Sequence, residues 1–396
     1  MGNDFFGVCI PLAKAFCIMP DLAPSTSRKS LLDKIYAFLI YFLVLFCHIT
    51  ELFKLYQIVT AEYFILDEFI RNYTVTSFHF TTIFKIVFIK GEISKRAFRE
   101  IMEFEDAIYK SLNDDIHQLY KACIIPVQNS RKYYLAGFVL VVAFYLAAPL
   151  FRDPIQIQKD NESIRIRQVP LSSWSPVEEH YWYAFVWTGL TGSYLTIFFV
   201  TTDLICFSFI AFGTCRIEIL RHYIRNFNQY CRNIMLTHGY SREDSARILQ
   251  KKIIIYHQDI ISYVKMINGS LKNLMLLDFL PGSLQLAGLI FQLMKNLNYI
   301  QCILLGEFIC SLIARVFIYA HNAHNLSQIS QQLADDWFEI DWNDLPKGVK
   351  TNLHICIMRS QKSLCITVGD LDVITMKTFL VILKGTYSYL TLLMTI

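Results

Sequence analysis

Long apolar stretches alternate with charged segments along the whole chain. Most of them approach the ~20 residues that a helix needs to cross the hydrocarbon core of a bilayer. They predict membrane helices at about 34–57, 72–90, 133–151, 181–215, 264–294, 299–320 and 372–396. The pattern therefore predicts an all-α membrane protein of one domain with seven transmembrane helices.

The last apolar stretch, residues 372–396, has one side that is mostly polar. Polar side chains recur there at steps of four and three, which places them on one helical stripe. The stripe consists of Lys377, Val381, Lys384, Ser388, Thr391 and Thr395, whereas Phe379, Leu383, Leu390 and Leu393 fall on other sides. A mostly polar stripe inside a bilayer has to face water or protein rather than lipid. A water-filled path and packing against another helix through small hydroxyl residues both satisfy this requirement.

The distribution of basic residues predicts the orientation in the membrane. If the amino terminus is cytosolic, the inner segments carry about 24 lysines and arginines and the outer ones about 6. Residues 1–33 and 321–371 are then cytosolic, and the carboxyl terminus is extracellular. A G-protein-coupled receptor has the opposite orientation, and its Asp-Arg-Tyr and Asn-Pro-x-x-Tyr motifs do not occur at the corresponding positions.

Composition supports a membrane protein, because 54% of the residues are hydrophobic, 18% are charged and the mean hydropathy is +0.37. The basic residues are scattered along loops, so no nucleic-acid partner is expected. No nucleotide-binding, nucleophile or metal-ligand motif is present, so we expect neither catalysis nor a cofactor.

The sequon at Asn161 lies inside the longest predicted outer loop and is a candidate glycosylation site.

A family signature occupies the final stretch. Its pattern is Phe379-x-x-x-Leu383-Lys384-x-x-Tyr387-Ser388-Tyr389-x-x-Leu392-Leu393. This pattern resembles the carboxyl-terminal signature of insect odorant receptors. The resemblance implies an odorant-binding subunit that forms a heterotetrameric cation channel with a common coreceptor in the plasma membrane of sensory-neuron dendrites, with the last helix lining the pore. The related gustatory receptors end in Gln-Phe where this chain has Leu393-Met394, which favours the odorant branch.

The same resemblance implies an odorant pocket in the outer half of the membrane region, within 34–320. A small volatile ligand needs aromatic and aliphatic walls with a few hydroxyls or an imidazole. The outer halves of the second, third, fourth and sixth helices offer Val75, Phe78, His79, Thr82, Val141, Val142, Tyr145, Trp187, Thr188, Thr191, Tyr194, Tyr299 and Cys302. The alternative for each is a place in the core or in the interfacial aromatic belt. For His79, burial predicts a neutral imidazole that is hydrogen-bonded to a neighbour.

The pore and the subunit contacts are also implied by the resemblance. It aligns Leu392 with a hydrophobic gate and Thr395 with a polar position just outside it. Ser388 and Thr391 supply hydroxyls that can replace part of an ion's hydration shell. The positive charge of Lys384 would repel cations in the path unless its side chain snorkels out of it. In the cytosolic anchor region, 321–371, the predicted subunit contacts are Leu345, Val349, Leu353, Ile357 and Leu364.

Three acidic residues inside predicted membrane helices, Asp203, Asp278 and Glu307, are expected to face protein or water. The sequence does not name their partners. Taken together, the patterns and the resemblance predict the odorant-specific subunit of a ligand-gated, non-selective cation channel. A gustatory-type receptor channel, a G-protein-coupled chemoreceptor and a secondary transporter remain the alternatives.

Overall fold

A computed structural model describes residues 4–22, 31–111, 113–151, 154–159, 162–176, 180–295, 299–342 and 345–394. Within these ranges the chain is mostly helical. The helices are α1 (Cys9–Ala15), α2 (Leu31–Thr60), α3 (Leu66–Lys90), α4 (Glu92–Lys110), α5 (Asp114–Ala147), α6 (Tyr181–Arg225), α7 (Phe227–His238), α8 (Arg242–Lys295), α9 (Tyr299–Phe338), α10 (Lys347–Ser360) and α11 (Met376–Met394). Two short antiparallel pairs complete the fold, β1 (Ile155–Lys159) with β2 (Glu162–Ile166), and β3 (Thr367–Val368) with β4 (Asp372–Val373).

The bundle is built around α6. Every residue from 198 to 213 is buried, so this part of the helix has neighbours on all sides. Those neighbours are α3, α5, α8 and α9. In the most apolar window of α6, 89% of the residues are buried, compared with 28% in α5. Helix α6 is therefore the axis of the bundle, and α5 leaves much of its apolar surface for lipid.

Among the residues that the structure describes, five helices are long and apolar enough to cross a membrane: α2, α5 (with the following turn to Phe151), α6, α8 and α9. The predicted second and seventh helices correspond to α3 and α11, which are not among the five. Acidic and basic side chains in α3, and lysines and hydroxyls in α11, lower their hydropathy. Length and composition thus support a multi-pass membrane protein.

Several predicted boundaries are corrected because apolar length marks only the part of a helix inside the bilayer. The predicted third helix, 133–151, is the second half of α5, whose first half is charged. Likewise α6, α8 and α9 continue well beyond the predicted 181–215, 264–294 and 299–320. The predicted outer loop contains the β1–β2 hairpin, and Asn161 itself lies outside the described residues.

The amino-terminal segment, predicted only as a short cytosolic stretch, packs into the bundle. Its Phe5 and Phe6 are fully buried against α4 and α6. The Phe5 amide donates to Glu105 Oε1 at 3.0 Å, and its carbonyl accepts from Arg131. Burial of its carboxyl group raises the pKa of Glu105 above its ordinary value. The segment therefore ties α4 to α5.

Replacing Phe6 with alanine is expected to destabilise the receptor by about 3–5 kcal/mol, because it removes a buried ring and leaves a cavity. The ring of Phe6 stacks on Phe98 with 4.8 Å between centroids. Thermal unfolding of the purified full-length chain in detergent measures the change. Phe38→Ala, at a largely exposed position on α2, is the matched control and should leave the unfolding temperature nearly unchanged. Equal shifts in the two variants would contradict the docking of the segment.

The region predicted to be the anchor, 321–371, contains the end of α9, all of α10 and β3. The predicted subunit contacts lie inside this chain: Leu345, Val349, Leu353 and Leu364 are buried, and Ile357 is half-buried. Leu345, Val349, Leu353 and Leu364 therefore pack within this chain, in which α10 lies against α8 and α9. The apolar side chains that α10 exposes are Ile355 and Met358.

Helix α11 packs on α8 and α9 through one face only. Thr378, Thr386 and Leu390 are buried on that face. The opposite face is exposed and contains the described members of the predicted polar stripe together with the predicted gate residue, namely Lys377, Val381, Lys384, Ser388, Thr391 and Leu392. Thr395 lies outside the described residues. The hydroxyls of Ser388 and Thr391 donate to carbonyls of their own helix, those of Lys384 and Ser388.

Candidate ligand cavity and the charges beneath it

A small apolar cavity lies between α3, α5, α6 and α9. Its volume is about 50 Å³. It is lined by Val75, Phe78, His79, Phe138, Val141, Val142, Tyr145, Gly192, Ser193, Thr196, Phe199, Phe308 and Leu312. Aromatic and aliphatic walls with a few hydroxyls and one imidazole suit a small, weakly polar ligand. A ~150 Å³ cavity is known to hold benzene, so a ligand of that size requires side chains of this cavity to rotate.

Six of the predicted pocket residues line this cavity: Val75, Phe78, His79, Val141, Val142 and Tyr145. The others lie elsewhere. Thr82, Thr188 and Thr191 are buried and donate their hydroxyls to carbonyls of their own helices. Tyr194 donates to the Ile40 carbonyl at 3.1 Å, and Trp187 packs edge-on against Phe46. Tyr299 is 78% exposed, and Cys302 is half-buried one turn further along α9.

Sequence reasoning missed seven lining residues, namely Phe138, Gly192, Ser193, Thr196, Phe199, Phe308 and Leu312. On α6 the lining residues lie on another side of the helix from the predicted ones, because hydroxyl residues occur on more than one side of this part of the helix. Phe138 lies one turn before Val141 and Val142, so helical spacing alone connects it to predicted residues. On α9 the cavity lies two turns deeper than the predicted position.

The imidazole of His79 is held by a carboxylate from α2. Its Nδ1 lies 2.7 Å from Oε1 of Glu51, and the other carboxylate oxygen lies 3.2 Å from Nδ1 of His48. Glu51 is completely buried. No protein partner for His79 Nε2 is found among the described residues, so Nε2 is available to a ligand in the cavity. Fixing one nitrogen in this way orients the ring.

A second cavity of about 60 Å³ adjoins the first on the side of the outer loop. Val75, Tyr145 and Phe308 line both cavities and form the wall between them. The second cavity also reaches Arg71 on α3 and Pro170 in the segment before α6. Rotation of Tyr145 or Phe308 would therefore join the two spaces and provide the room that a ligand needs.

A group of buried charges lies below the first cavity. It consists of Lys85 on α3, Asp203 on α6, Asp278 on α8 and Arg315 on α9, and we call it the charge cluster. Lys85 Nζ donates to Asp203 Oδ1 at 2.6 Å and to Asp278 Oδ2 at 2.9 Å. Arg315 Nε donates to Asp203 Oδ2 at 2.7 Å, and its Nη2 donates to Asp278 Oδ2. Two cations thus compensate two anions.

The hydroxyls of Tyr134 and Tyr319 complete the coordination of Asp203, each at 2.8 Å. The expectation that Asp203 and Asp278 face protein is confirmed by these contacts. The sequence signal for their partners was the pair of cations, Lys85 and Arg315, inside otherwise apolar helices. The third acid, Glu307, is half-buried elsewhere on α9 and accepts from the Ser311 hydroxyl at 3.4 Å.

A larger cavity, of about 520 Å³, lies at the other end of the bundle between α4, α5, α6, α7 and α8. Its wall includes Ile116 of α5, which is separated from Val142 in the candidate cavity by about 39 Å of helix. This cavity borders the charged half of α5 and does not touch α11. The smaller cavity is the better candidate for a membrane-soluble ligand because it lies among the apolar helix segments.

Apolar helices packed around a buried central helix, with an apolar cavity between four of them, define a multi-pass helical membrane receptor. The family model described as "7tm Odorant receptor" matches residues 65–387, and the chain belongs to this family of insect odorant receptors. It is a family of receptors and not of enzymes.

The fold is similar to that of the insect olfactory receptor OR5 from Machilis hrabei. The match has a TM-score of 0.73 at 13% identity to the structure containing eugenol, and covers 99% of this chain and 100% of that one. The same receptor without that ligand matches with a TM-score of 0.74 at 12% identity. At this identity the likeness concerns the fold.

Curated relatives are similar over parts of the chain. Odorant receptor 10 of Aedes albopictus is 29% identical over 198 residues, and odorant receptor Or2 of Anopheles gambiae is 30% identical over 143. These alignments span 49% and 38% of the length of the two relatives and 50% and 36% of this chain. Odorant receptor 30a of Drosophila melanogaster is 24% identical over 347 residues, which is 83% of each chain.

Proposed function

We propose that this receptor is the odorant-binding subunit of a ligand-gated, non-selective cation channel, and that it forms a heterotetramer with a common coreceptor. The observation that carries the proposal is the exposed polar face of α11. Lys377, Lys384, Ser388 and Thr391 point away from the rest of the chain. In a bilayer such a face requires water or protein opposite it. Subunits arranged around a central axis, each presenting α11, would enclose a water-filled path.

The proposed topology has seven crossings, with the amino terminus in the cytosol and the carboxyl terminus outside. Helices α3 and α11 add two crossings to the five apolar helices. For α3 the deepest charge, Lys85, is neutralised inside the protein by two aspartates, which removes the main objection to its crossing. The excess of basic residues in the inner segments supports the orientation. Residues 1–33 and 321–371 are then cytosolic, and the receptor lies in the dendritic plasma membrane.

For the ligand we propose the cavity between α3, α5, α6 and α9. Among the residues predicted from the sequence, Val75, Phe78, His79, Val141, Val142 and Tyr145 would touch the odorant, and Thr196 and Phe308 would join them. The remaining predicted residues, Thr82, Trp187, Thr188, Thr191, Tyr194, Tyr299 and Cys302, would act only through packing. Subunit contacts in the cytosol would use Ile355 and Met358, the apolar side chains that α10 exposes.

In the proposed pore, Leu392 forms the hydrophobic constriction on the exposed face of α11. Ser388 and Thr391 lie one turn or less from it and offer hydroxyls to passing ions, and Thr395 would follow on the outer side. The amine of Lys384 lies two turns further in, where its long side chain can snorkel towards the inner vestibule. This arrangement provides no acidic ring, which is consistent with weak selectivity among cations.

Whole-cell recording under an odorant panel tests the proposal. We expect odorant-evoked cation current when this chain is expressed with the coreceptor, and none when either is expressed alone. Surface labelling of the tagged chain confirms that the silent cells contain it. Evoked current from this chain alone would contradict the requirement for the coreceptor. Absence of current in every combination, with the receptor at the surface and a broad panel tried, would contradict the channel and favour a metabotropic receptor.

A further inference from the structure

The charge cluster contacts rings that line the candidate cavity, and its Arg315 borders a space that is also lined by α11. On the cavity side, the guanidinium carbon of Arg315 is 4.7 Å from the ring centroid of Phe199 and 5.6 Å from that of Phe78. Lys85 Nζ is 5.5 Å from the Phe199 centroid. Both rings also line the candidate cavity. A ligand in the cavity would therefore touch rings that are also in contact with the cations.

On the opposite side, Arg315 borders a narrow space beside α11. This space of about 20 Å³ is also lined by Phe379, Ile382 and Leu383 of α11. Phe78 and Leu312 line both this space and the candidate cavity, so one layer of side chains separates the two. Next to it, Phe379 packs edge-on against Phe317, two residues after Arg315 on α9, with 5.8 Å between centroids.

The two aspartates of the cluster are coordinated unequally. Asp203 accepts from Lys85, Arg315, Tyr134 and Tyr319, which uses both of its oxygens. Asp278 uses Oδ2 alone, and its buried Oδ1 has no hydrogen-bond donor among the described residues. The free oxygen offers Arg315 a second hydrogen-bonded position on Asp278. A buried unpaired acceptor is costly, so a small displacement of the guanidinium towards Oδ1 has a compensating gain.

Stability alone is a weak explanation for such a cluster, because apolar side chains often replace buried ion pairs without loss of stability. Its position between two functional regions calls for a different explanation. We propose that Arg315 is a positioning residue that couples occupancy of the cavity to the position of α11. A ligand that presses on Phe78 and Phe199 shifts the guanidinium along Asp278, and the movement passes through Phe379 to α11. This inference rests on the proposed channel function.

The test separates binding from opening in the complete complex with the coreceptor. Arg315→Lys keeps the buried positive charge but loses the planar fork that bridges both aspartates. Odorant binding is measured as the ligand-induced rise in the unfolding temperature of the purified complex, and opening as the maximal evoked current per receptor at the surface. We expect the apparent Kd to stay within about threefold and the maximal current to fall at least tenfold, since coupling depends on the lost contact. An unchanged current, or binding and current that fall by the same factor, would overturn the inference.

The matched control is Arg221→Lys. Arg221 is a second buried arginine that bridges a carboxylate, with Nε 2.5 Å and Nη2 3.5 Å from the oxygens of Asp336, but it lies far from the cavity and from α11. This variant should keep the ratio of current to binding. If Arg315→Lys does not reach the surface, Phe379→Leu tests the contact with α11 without altering any charge. An unchanged maximal current in the Phe379→Leu variant would overturn the inference. Wild-type complex that binds odorant and passes no current would instead contradict the channel itself.

Discussion

Replacing Gly192 with valine is expected to raise the half-maximal odorant concentration strongly. Gly192 lies in the wall of the candidate cavity on α6, and a Cβ added there would be 3.3 Å from Cε1 of Tyr145 and 3.8 Å from Cβ of Leu171. Two further methyl groups would enter a space of about 50 Å³ and restrict the ring that separates the two cavities. Overfilling of this kind typically costs about 1–3 kcal/mol, which corresponds to roughly 5–150-fold weaker binding.

Dose–response curves of evoked current, normalised to receptor at the surface, measure the effect. Gly137→Val is the control, because Gly137 is also a helical glycine in the membrane region, and a Cβ there would meet no atom within 4 Å. The control should shift the half-maximal concentration by no more than about threefold, as expected for a position without a close neighbour. Equal sensitivity of the two variants, or an unchanged response in Gly192→Val, would place the odorant outside this cavity.

Replacing Leu392 with serine is expected to produce a large current without odorant. Leu392 lies on the exposed face of α11 beside Thr391, and a ring of leucines closes a pore by excluding water from it. A hydroxyl in place of the isobutyl group that this chain contributes lowers the cost of wetting, so the closed state would leak. The measurement is the holding current of cells expressing the variant with the coreceptor, before and after a pore blocker is added.

The control for this substitution is Leu190→Ser on α6. Leu190 is an exposed leucine on the outside of the bundle, remote from α11, so the same change of chemistry there should leave the resting current at its original level. If the resting current in Leu392→Ser is no larger than in the control, Leu392 is not part of the gate. That outcome concerns Leu392 and not the rest of the exposed face of α11.

How much of the structure could be predicted from the sequence differs from helix to helix. Each apolar stretch corresponds to a helix of the described structure, and five of these helices are long and apolar enough to cross a membrane, but helices such as α5 and α8 extend well beyond the predicted ends. On α3 and α5 the candidate cavity is lined by residues that the sequence suggested, among them His79 and Tyr145. On α6 the prediction selected Trp187 and Thr188, whereas the cavity is lined by Gly192 and Thr196. Around these residues α6 carries both exposed and buried apolar side chains, such as Leu190 and Leu195, so its sequence does not show which side faces the cavity.

In the anchor region, the sequence predicts which side chains are buried but not what buries them. Apolar residues such as Val349 and Leu353 recur along α10, and the pattern indicates that this face is covered. It does not indicate whether another element of the same chain or a neighbouring subunit covers it. The structure assigns the role to α8 and α9 of the same chain, and the exposed apolar residues of α10 are Ile355 and Met358. Burial by the chain itself and burial by a partner produce the same sequence pattern.

By itself, the sequence determined the properties that depend on local order: the apolar lengths that make this a membrane protein, the polar stripe of α11, and the family signature within it. Only the tertiary structure decided which helix is central, which side chains enclose the cavity, and that Lys85 and Arg315 neutralise Asp203 and Asp278. The reason is physical. In a bilayer, lipid-facing and core-facing side chains are both apolar, so hydrophobic periodicity does not orient a helix, and partners that are more than a hundred residues apart meet only when the helices pack.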